Sequence, residues 1–369
     1  VHSRAAERRE RVLRAASGAK SLCARNEPCE AELLHAAPRQ GREERLGGGR
    51  IPVHALSRRE LLSLGLPLAA SAGCVTQTLE YSTRAVYLDP HAKPGRLPFE
   101  TGQILLSEAP GPHGILFTLA PNRFYRFTHS AILVLDERGE PYVYDMTAEF
   151  KPTLATTPPD SLHGGVRRAS LPDYVGIHLY VEVFDPPTGI DRQKMANKVL
   201  EIEKAGVEFD AHWDFANDEK LFCSEFVVDV LAAGGAPRPP LVGLTDNQSL
   251  RRVLEWFGVT TVESLPAAAL PREKLVAAFS RWPTRASATA YLEAKRELYR
   301  RFTPDQRIGD LLELDGLDVK LRPPIAELLD RAPLLYVKAK EEPPEAEIRT
   351  RIRTLADEVL GPFPVPEHG

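Results

Sequence analysis

Cysteine is scarce in this chain: Cys23, Cys29, Cys74 and Cys223 are the only four in 369 residues. No C-x-x-C pair occurs and the Cys23–Cys29 spacing is not a zinc pattern, so nothing in the sequence suggests a structural zinc site. A disulfide framework needs pairs inside the folding part of the chain, and that part holds one cysteine. Long apolar runs are missing too. None approaches the ~20 residues of a membrane-spanning helix. An excess of one charge is also absent, with 47 basic against 51 acidic residues and a net charge of −4. Without a basic stripe studded with aromatics, there is no reason to expect a nucleic-acid partner. What is present is an ordinary globular composition, 43% hydrophobic and 27% charged, with 32 prolines to stiffen the connections. Such a chain can bury a sizeable core and hold one catalytic-size domain with an appended region.

Residues 1–56 are rich in Arg, Glu, Ala and Gly and lack apolar periodicity beyond Val12–Ala16. They read as disordered, or as a start assigned too far upstream. Residues 57–74 read as an export address. Arg58-Arg59 precede the apolar run Leu61–Ala70 and then Ser71-Ala72-Gly73-Cys74, the order of a charged region, a short apolar region and a small-residue cleavage site. The arginine pair resembles a twin-arginine signal, and the end resembles a lipobox whose cysteine, here Cys74, carries the lipid. A buried amphipathic helix ending in Gly-Cys is the alternative. If the address is used, the protein is an exported lipoprotein tethered to an envelope membrane, and Cys223 is its free thiol. A thiol kept unpaired in an oxidising compartment points to reactivity.

Residues 80–240 carry the strand signals. Gln103–Ser107 reads as a short buried strand entered through Gly102, followed by the Gly/Pro-rich loop Pro110–Gly114, of the kind that rims a cleft. Ser130–Leu135 and Tyr142–Met146, joined by the turn Asp136–Glu140, predict a hairpin. That hairpin brings Asp145 near His129, on the same face only in the right register. Ile177–Val183 alternates as a further strand. Asp191 caps a helix to Ala205, with Met195, Val199 and Ile202 on one face and Gly206 as terminator. A polar link, Phe209–Asp214, then delivers the chain to Leu221-Phe222-Cys223-Ser224-Glu225-Phe226-Val227-Val228. There Phe226, Val227, Val230 and Leu231 mark a helix closed by Gly234-Gly235. Strands followed by packing helices predict an α+β domain.

A cysteine at a helix start sits where negative charge is favoured, and His129 at a strand opening supplies a base. Together they are the minimum set for acyl transfer through a thioester. The pieces Gly102-Gln103-Ile104-Leu105, Thr128–Leu133, Tyr144-Asp145 and Phe209 through Phe222-Cys223-Ser224-Glu225-Phe226-Val227 resemble the circularly permuted NlpC/P60 (papain-like) cysteine hydrolases of the YiiX/YebB type. The resemblance spans residues 98–235. It implies a papain-like half-barrel with Cys223 as nucleophile, His129 as base and Asp145 as orienter, where the family usually has Glu. Gln103 also departs from the family, replacing the Asp that commonly follows the strand-opening glycine.

Each residue has a plainer reading beside the functional one. Cys223 suits a small buried hydrophobe, His129 a loop hydrogen bond, and Asp145 a surface strand end. His212 is the spare base, in a setting that suits packing at a cleft edge. His113 and His163 sit in Gly-rich loops, as rim residues or solvated ones. Glu225 and Asp214 should point away or pair structurally, since a nearby carboxylate raises a thiol pKa. A zinc held by Cys223, His129 and Asp145 lacks paired short-spacing ligands, so neither metal nor cofactor is expected.

The stiff link Ala236–Pro240 suggests a boundary. Beyond it, 241–369 reads as helical: Ser249–Phe257, Arg272–Trp282, Ala286–Phe302, Asp310–Leu314, Pro324–Leu329 and Glu345–Leu360. The expected function is an envelope-anchored cysteine hydrolase cleaving an amide or ester, with peptidoglycan stem peptides as one substrate class. A lipid acyltransferase or phospholipase using the same pair is the alternative, and a non-catalytic papain-like binding domain the third.

Overall fold

Apolar residues alternating with small and polar ones draw much of the described chain into strands, and wider apolar spacings make the helices between and after them. The computed structural model describes residues 86–87, 99–151, 159–217, 219–304, 310–315 and 318–363. The address segment 57–74, Cys74 and the lead 1–56 lie outside the described residues. The strands before residue 240 are β1 Val86–Tyr87, β2 Ile104–Glu108, β3 His129–Leu135, β4 Pro141–Phe150, β5 Leu162–Ser170, β6 Tyr180–Phe184, β7 Glu208–Phe209 and β8 Lys220–Leu221. Later come β9 Val242–Gly243, β10 Glu263–Ser264, β11 Leu275–Ser280, β12 Leu312–Asp315 and β13 Asp318–Leu321. The helices are α1 Pro112–Leu119, α2 Leu171–Ile177, α3 Arg192–Ala205, α4 Cys223–Ala233, α5 Gln248–Trp256, α6 Arg285–Phe302, α7 Pro323–Leu334 and α8 Glu345–Leu360.

Among the described residues, nine strands form one sheet in the order β1-β11-β6-β2-β3-β4-β5-β7-β8, antiparallel except for the β7–β8 pair. The architecture is mixed α+β around a central, mostly antiparallel sheet. The β3–β4 hairpin forms over the expected turn, where the Asp136 carboxylate accepts the N–H groups of Arg138 and Glu140 at 2.9 Å each. Gly139 completes it with φ 78°, a region that suits glycine.

The sheet is buried on both faces. On one, Ile104, Leu106, Ile132, Tyr144 and Met146 pack with Met195, Val199 and Ile202 of α3 and Phe226, Val227 and Val230 of α4. Leu292, Leu298, Leu328, Ile348 and Ile352 from α6, α7 and α8 join the same cluster. Burying one such side chain contributes about 1.5–3 kcal/mol. On the other face Leu105, Ala131, Leu133, Val143, Val181 and Val183 lie under Leu171, Tyr174 and Val175 of α2.

Several element assignments differ from the sequence reading. Leu275–Ser280, expected inside a helix, is β11, paired with both β1 and β6. Its run Leu-Val-Ala-Ala-Phe buries Ala277 on one face and Ala278 on the other, and a strand buried on both faces shows no alternation to separate it from a helix. The chain beyond the Ala236–Pro240 link thus returns a strand to the central sheet. Residues 310–314 do not form the expected helix either: Leu312–Asp315 pairs with Asp318–Leu321. The Pro110–Gly114 loop runs into α1, which starts at Pro112 after Gly111 at φ 96°. Proline at the first helical position has no N–H to leave unpaired. The strand expected from Ile177 starts at Tyr180, because Ser170 caps α2 first through the N–H of Asp173.

Candidate active site

Cys223 begins α4. The chain is extended at Phe222 (φ −104°, ψ 174°), and the apolar spacing beyond it then makes an eleven-residue helix. Phe222 has no capping side chain. Instead the carboxyl of Glu225, third in the helix, accepts the Phe222 N–H, half of a capping box. Burial, helped by Asp229 and Asp210, pushes the Glu225 pKa up to about 8. Glu225 is therefore protonated at neutral pH and does not oppose a thiolate at the same helix end.

Sheet register supplies the other two residues. Ala131 pairs with Asp145, so Asp145 and His129 lie diagonally on one face of the β3–β4 pair. His129 Nε2 and Asp145 Oδ2 are 2.7 Å apart. The Cys223 sulfur hydrogen-bonds the His129 ring. With Nε2 committed to Asp145, Nδ1 is the nitrogen left for the sulfur. The backbone N–H groups of Ser130 and Ser224 also donate to the sulfur. Cys223 is half-buried, the His129 side chain is 15% exposed and the Asp145 side chain is fully buried. The three residues singled out from sequence therefore meet, although His129 and Cys223 lie far apart along the chain.

Their ionisation follows from the contacts. Burial pushes the Cys223 thiol up, but the His129 charge, its hydrogen bond and the two backbone N–H groups outweigh it and the pKa falls. Burial pulls His129 down, yet the Cys223 thiolate and the Asp145 carboxylate together raise its pKa to about 10. Asp145 is pushed up by burial and pulled down by His129 and Arg167, ending at about 2. These shifts all favour the thiolate–imidazolium pair beside an ionised Asp145.

Four neighbours escaped the sequence reading. Arg167, directly opposite Asp145 in the β4–β5 register, donates from Nε to Oδ1 at 3.0 Å and from Nη2 to Oδ2 at 2.6 Å. His178 stacks on His129 with ring centroids 5.7 Å apart, and its Nδ1 donates to the Tyr174 carbonyl at 2.7 Å. Burial and the His129 charge pull the His178 pKa down to about 3, so it is neutral. Tyr174 and Ser107 share a hydroxyl–hydroxyl hydrogen bond of 2.8 Å. Ser107 pairs with His129 across β2–β3. These polar groups end a sheet face that is otherwise apolar. That break in an alternating pattern was the signal available in the sequence.

The remaining candidates lie elsewhere or serve local structure. His212 is exposed and places Nδ1 2.8 Å from the Gly258 carbonyl. Asp214 accepts the Ala216 N–H at 2.9 Å, while its own N–H donates to Asp210 at 2.6 Å. His113 is in α1 with its ring against Phe257, and His163 is exposed within β5 rather than in a loop. Gln103 is buried and holds a corner of the fold, donating to Asp185 and accepting the Glu100 N–H, both at 3.1 Å. Among the described residues no group of three or more His, Cys, Asp or Glu is placed to hold a metal ion. No helix among them is long and apolar enough to cross a membrane.

No protein-family model matches the chain. No curated protein matches it either. Among solved structures, the chain is similar to the crystal structure of the metalloprotein yiiX from Escherichia coli O157:H7, at 18% identity and a TM-score of 0.37. That match covers 48% of this chain and 95% of the other.

Proposed function

We propose that this protein is a cysteine hydrolase that cleaves an amide or ester bond through a thioester on Cys223. The reading is carried by one observation: a cysteine at a helix N-terminus hydrogen-bonded to a histidine whose other nitrogen is held by a buried carboxylate. The papain-like, permuted NlpC/P60 arrangement is part of this proposal. In the first half-reaction the Cys223 thiolate forms a C–S bond with the acyl carbon. Backbone N–H groups of the first turn of α4 stabilise the oxyanion, and the His129 imidazolium passes its proton to the departing nitrogen or oxygen. In the second, His129 takes a proton from water, the hydroxide adds to the thioester carbon, and the C–S bond breaks to restore the thiolate. Asp145 holds the ring in the productive tautomer and balances its charge.

Peptidoglycan stem peptides are the proposed substrate class, resting on the export address read in residues 57–74. An alcohol or amine in place of water turns the same chemistry into acyl transfer, which product identification separates from hydrolysis.

The test is acyl trapping on the full-length chain. A p-nitrophenyl ester should add one acyl group to the Cys223 peptide, seen by mass spectrometry, with a burst of nitrophenolate. Asp145→Asn should still be acylated, about 10²–10⁴-fold more slowly. Acylation of Asp145→Asn at the wild-type rate would remove Asp145 from the scheme. An acyl group found on another residue would end the scheme itself.

A further inference from the structure

Asp145 is a fully buried carboxylate with more bound to it than the histidine it aims. We propose that Arg167 is a positioning residue of this site, clamping Asp145 from the side opposite His129 and fixing the direction in which that carboxylate presents itself to the ring. The inference rests on the function proposed above and names a fourth member of its machinery.

Geometry carries it. Arg167 and Asp145 are direct cross-strand partners, and the guanidinium meets the carboxylate with two parallel N–H groups, at 3.0 and 2.6 Å. This is the fork-to-fork pairing that fixes angle as well as distance. Oδ2 also faces His129 Nε2, so both oxygens are occupied and the carboxylate cannot rotate without breaking a charged hydrogen bond. The strands are held close just beyond the pair. A Cβ built on Gly164 would lie 2.0 Å from the Thr147 carbonyl oxygen, an approach that glycine alone permits.

The ionisable groups around the clamp are Cys223 from α4, His129 from β3, Tyr174 from α2 and His178 just after it. Burial keeps Tyr174 protonated and His178 unprotonated, so both are neutral. The charges that matter are then thiolate, imidazolium, carboxylate and guanidinium, alternating in sign along the row. Burial alone would favour a protonated Asp145. Without the guanidinium, its pKa is expected to rise. A protonated Asp145 no longer steadies the imidazolium, and the thiolate loses support as pH falls.

The measurement is the rate of Cys223 alkylation by iodoacetamide against pH, read on the Cys223 peptide so that Cys23, Cys29 and Cys74 do not contribute. In Arg167→Met the acid limb should move to higher pH by about one unit or more, a loss of at least ~10-fold on that limb. Arg167→Lys keeps the charge without the fork, and should cancel part of the shift. Should Arg167→Met fail to fold, Arg167→Lys must by itself show a smaller shift in the same direction. A merely structural arginine would lower the melting temperature and leave the shape of the profile unchanged. Profiles of the folded variants that overlay the wild type overturn the proposal. A wild-type Cys223 with no reactivity beyond that of a free thiol instead overturns the proposed function, so the two failures are distinguishable.

Discussion

Cys223→Ala is expected to abolish acylation by an activated ester and labelling at this position, while leaving the fold in place. Removing the nucleophile of such a unit typically costs about as much as removing the whole unit, on the order of 10⁶-fold in kcat. The loss should not carry a structural penalty. Cys223 is half-buried at the first position of α4, and the helix is held by Phe226, Val227, Val230 and Leu231 on its buried face. The Glu225 half-cap uses the Phe222 backbone and does not need the thiol. Circular dichroism and the melting temperature should therefore stay close to wild type while ester turnover falls to background. Turnover persisting in the variant would mean that a different group does the chemistry.

The largest effect on stability is expected from Lys295→Met. Lys295 in α6 and Glu108 at the end of β2 form an ion pair with both side chains fully buried and Nζ 2.5 Å from Oε1. The Thr128 hydroxyl adds a weak contact to Glu108 Oε2 at 3.4 Å. Where Glu108 must ionise, on the alkaline side, removing the lysine leaves an uncompensated buried charge, a loss of about 3–5 kcal/mol. Burial already pushes the Glu108 pKa up to about 7 against the pull of Lys295. Without the lysine it rises further above its unfolded value. The folded variant then binds more protons than the unfolded chain through that range, so its stability falls as pH rises. The loss should accordingly be greater on the alkaline side of neutrality than on the acid side. Urea midpoints on both sides check this, and the double variant Glu108→Gln/Lys295→Met should recover most of the loss. A single variant as stable as wild type on both sides would mean the pair is not a structural tie. The result bears on organisation, because this pair anchors a helix from beyond residue 240 to a central strand that also carries Ser107.

The site was more legible in the sequence than the architecture around it. Cys223 announced itself by falling between a polar link and an apolar helix, and His129 by opening a strand. The β3–β4 turn fixed the register that puts Asp145 beside His129, because Asp136 and Gly139 admit few other turns. Helices with strong punctuation were equally readable: α3 between Asp191 and Gly206, α4 before Gly234, α8 after Pro343-Pro344. Elements whose local pattern is silent were not. The run in β11 is buried on both faces and shows no period. Arg167 and His178 join the site through pairing and stacking that only the fold creates. The short chain signal in α2, Ser170 three residues before Asp173, was outweighed by the alternation just after it. Lys295 lies in a run of charged residues that gives no local sign of burial, and its buried partner Glu108 comes from a distant strand.

If folding makes a thiolate at Cys223 by placing an imidazolium beside it, the pH dependence of Cys223 alkylation will show it. With the thiol pKa lowered and the His129 pKa raised to about 10, the ion pair exists between the two, so the rate should reach a plateau below the pH at which an ordinary thiol titrates and hold it until the imidazolium deprotonates. His129→Ala should erase the plateau. A wild-type profile that rises as a single titration near about 8.5, as an ordinary thiol does, and is unchanged in His129→Ala would contradict the claim.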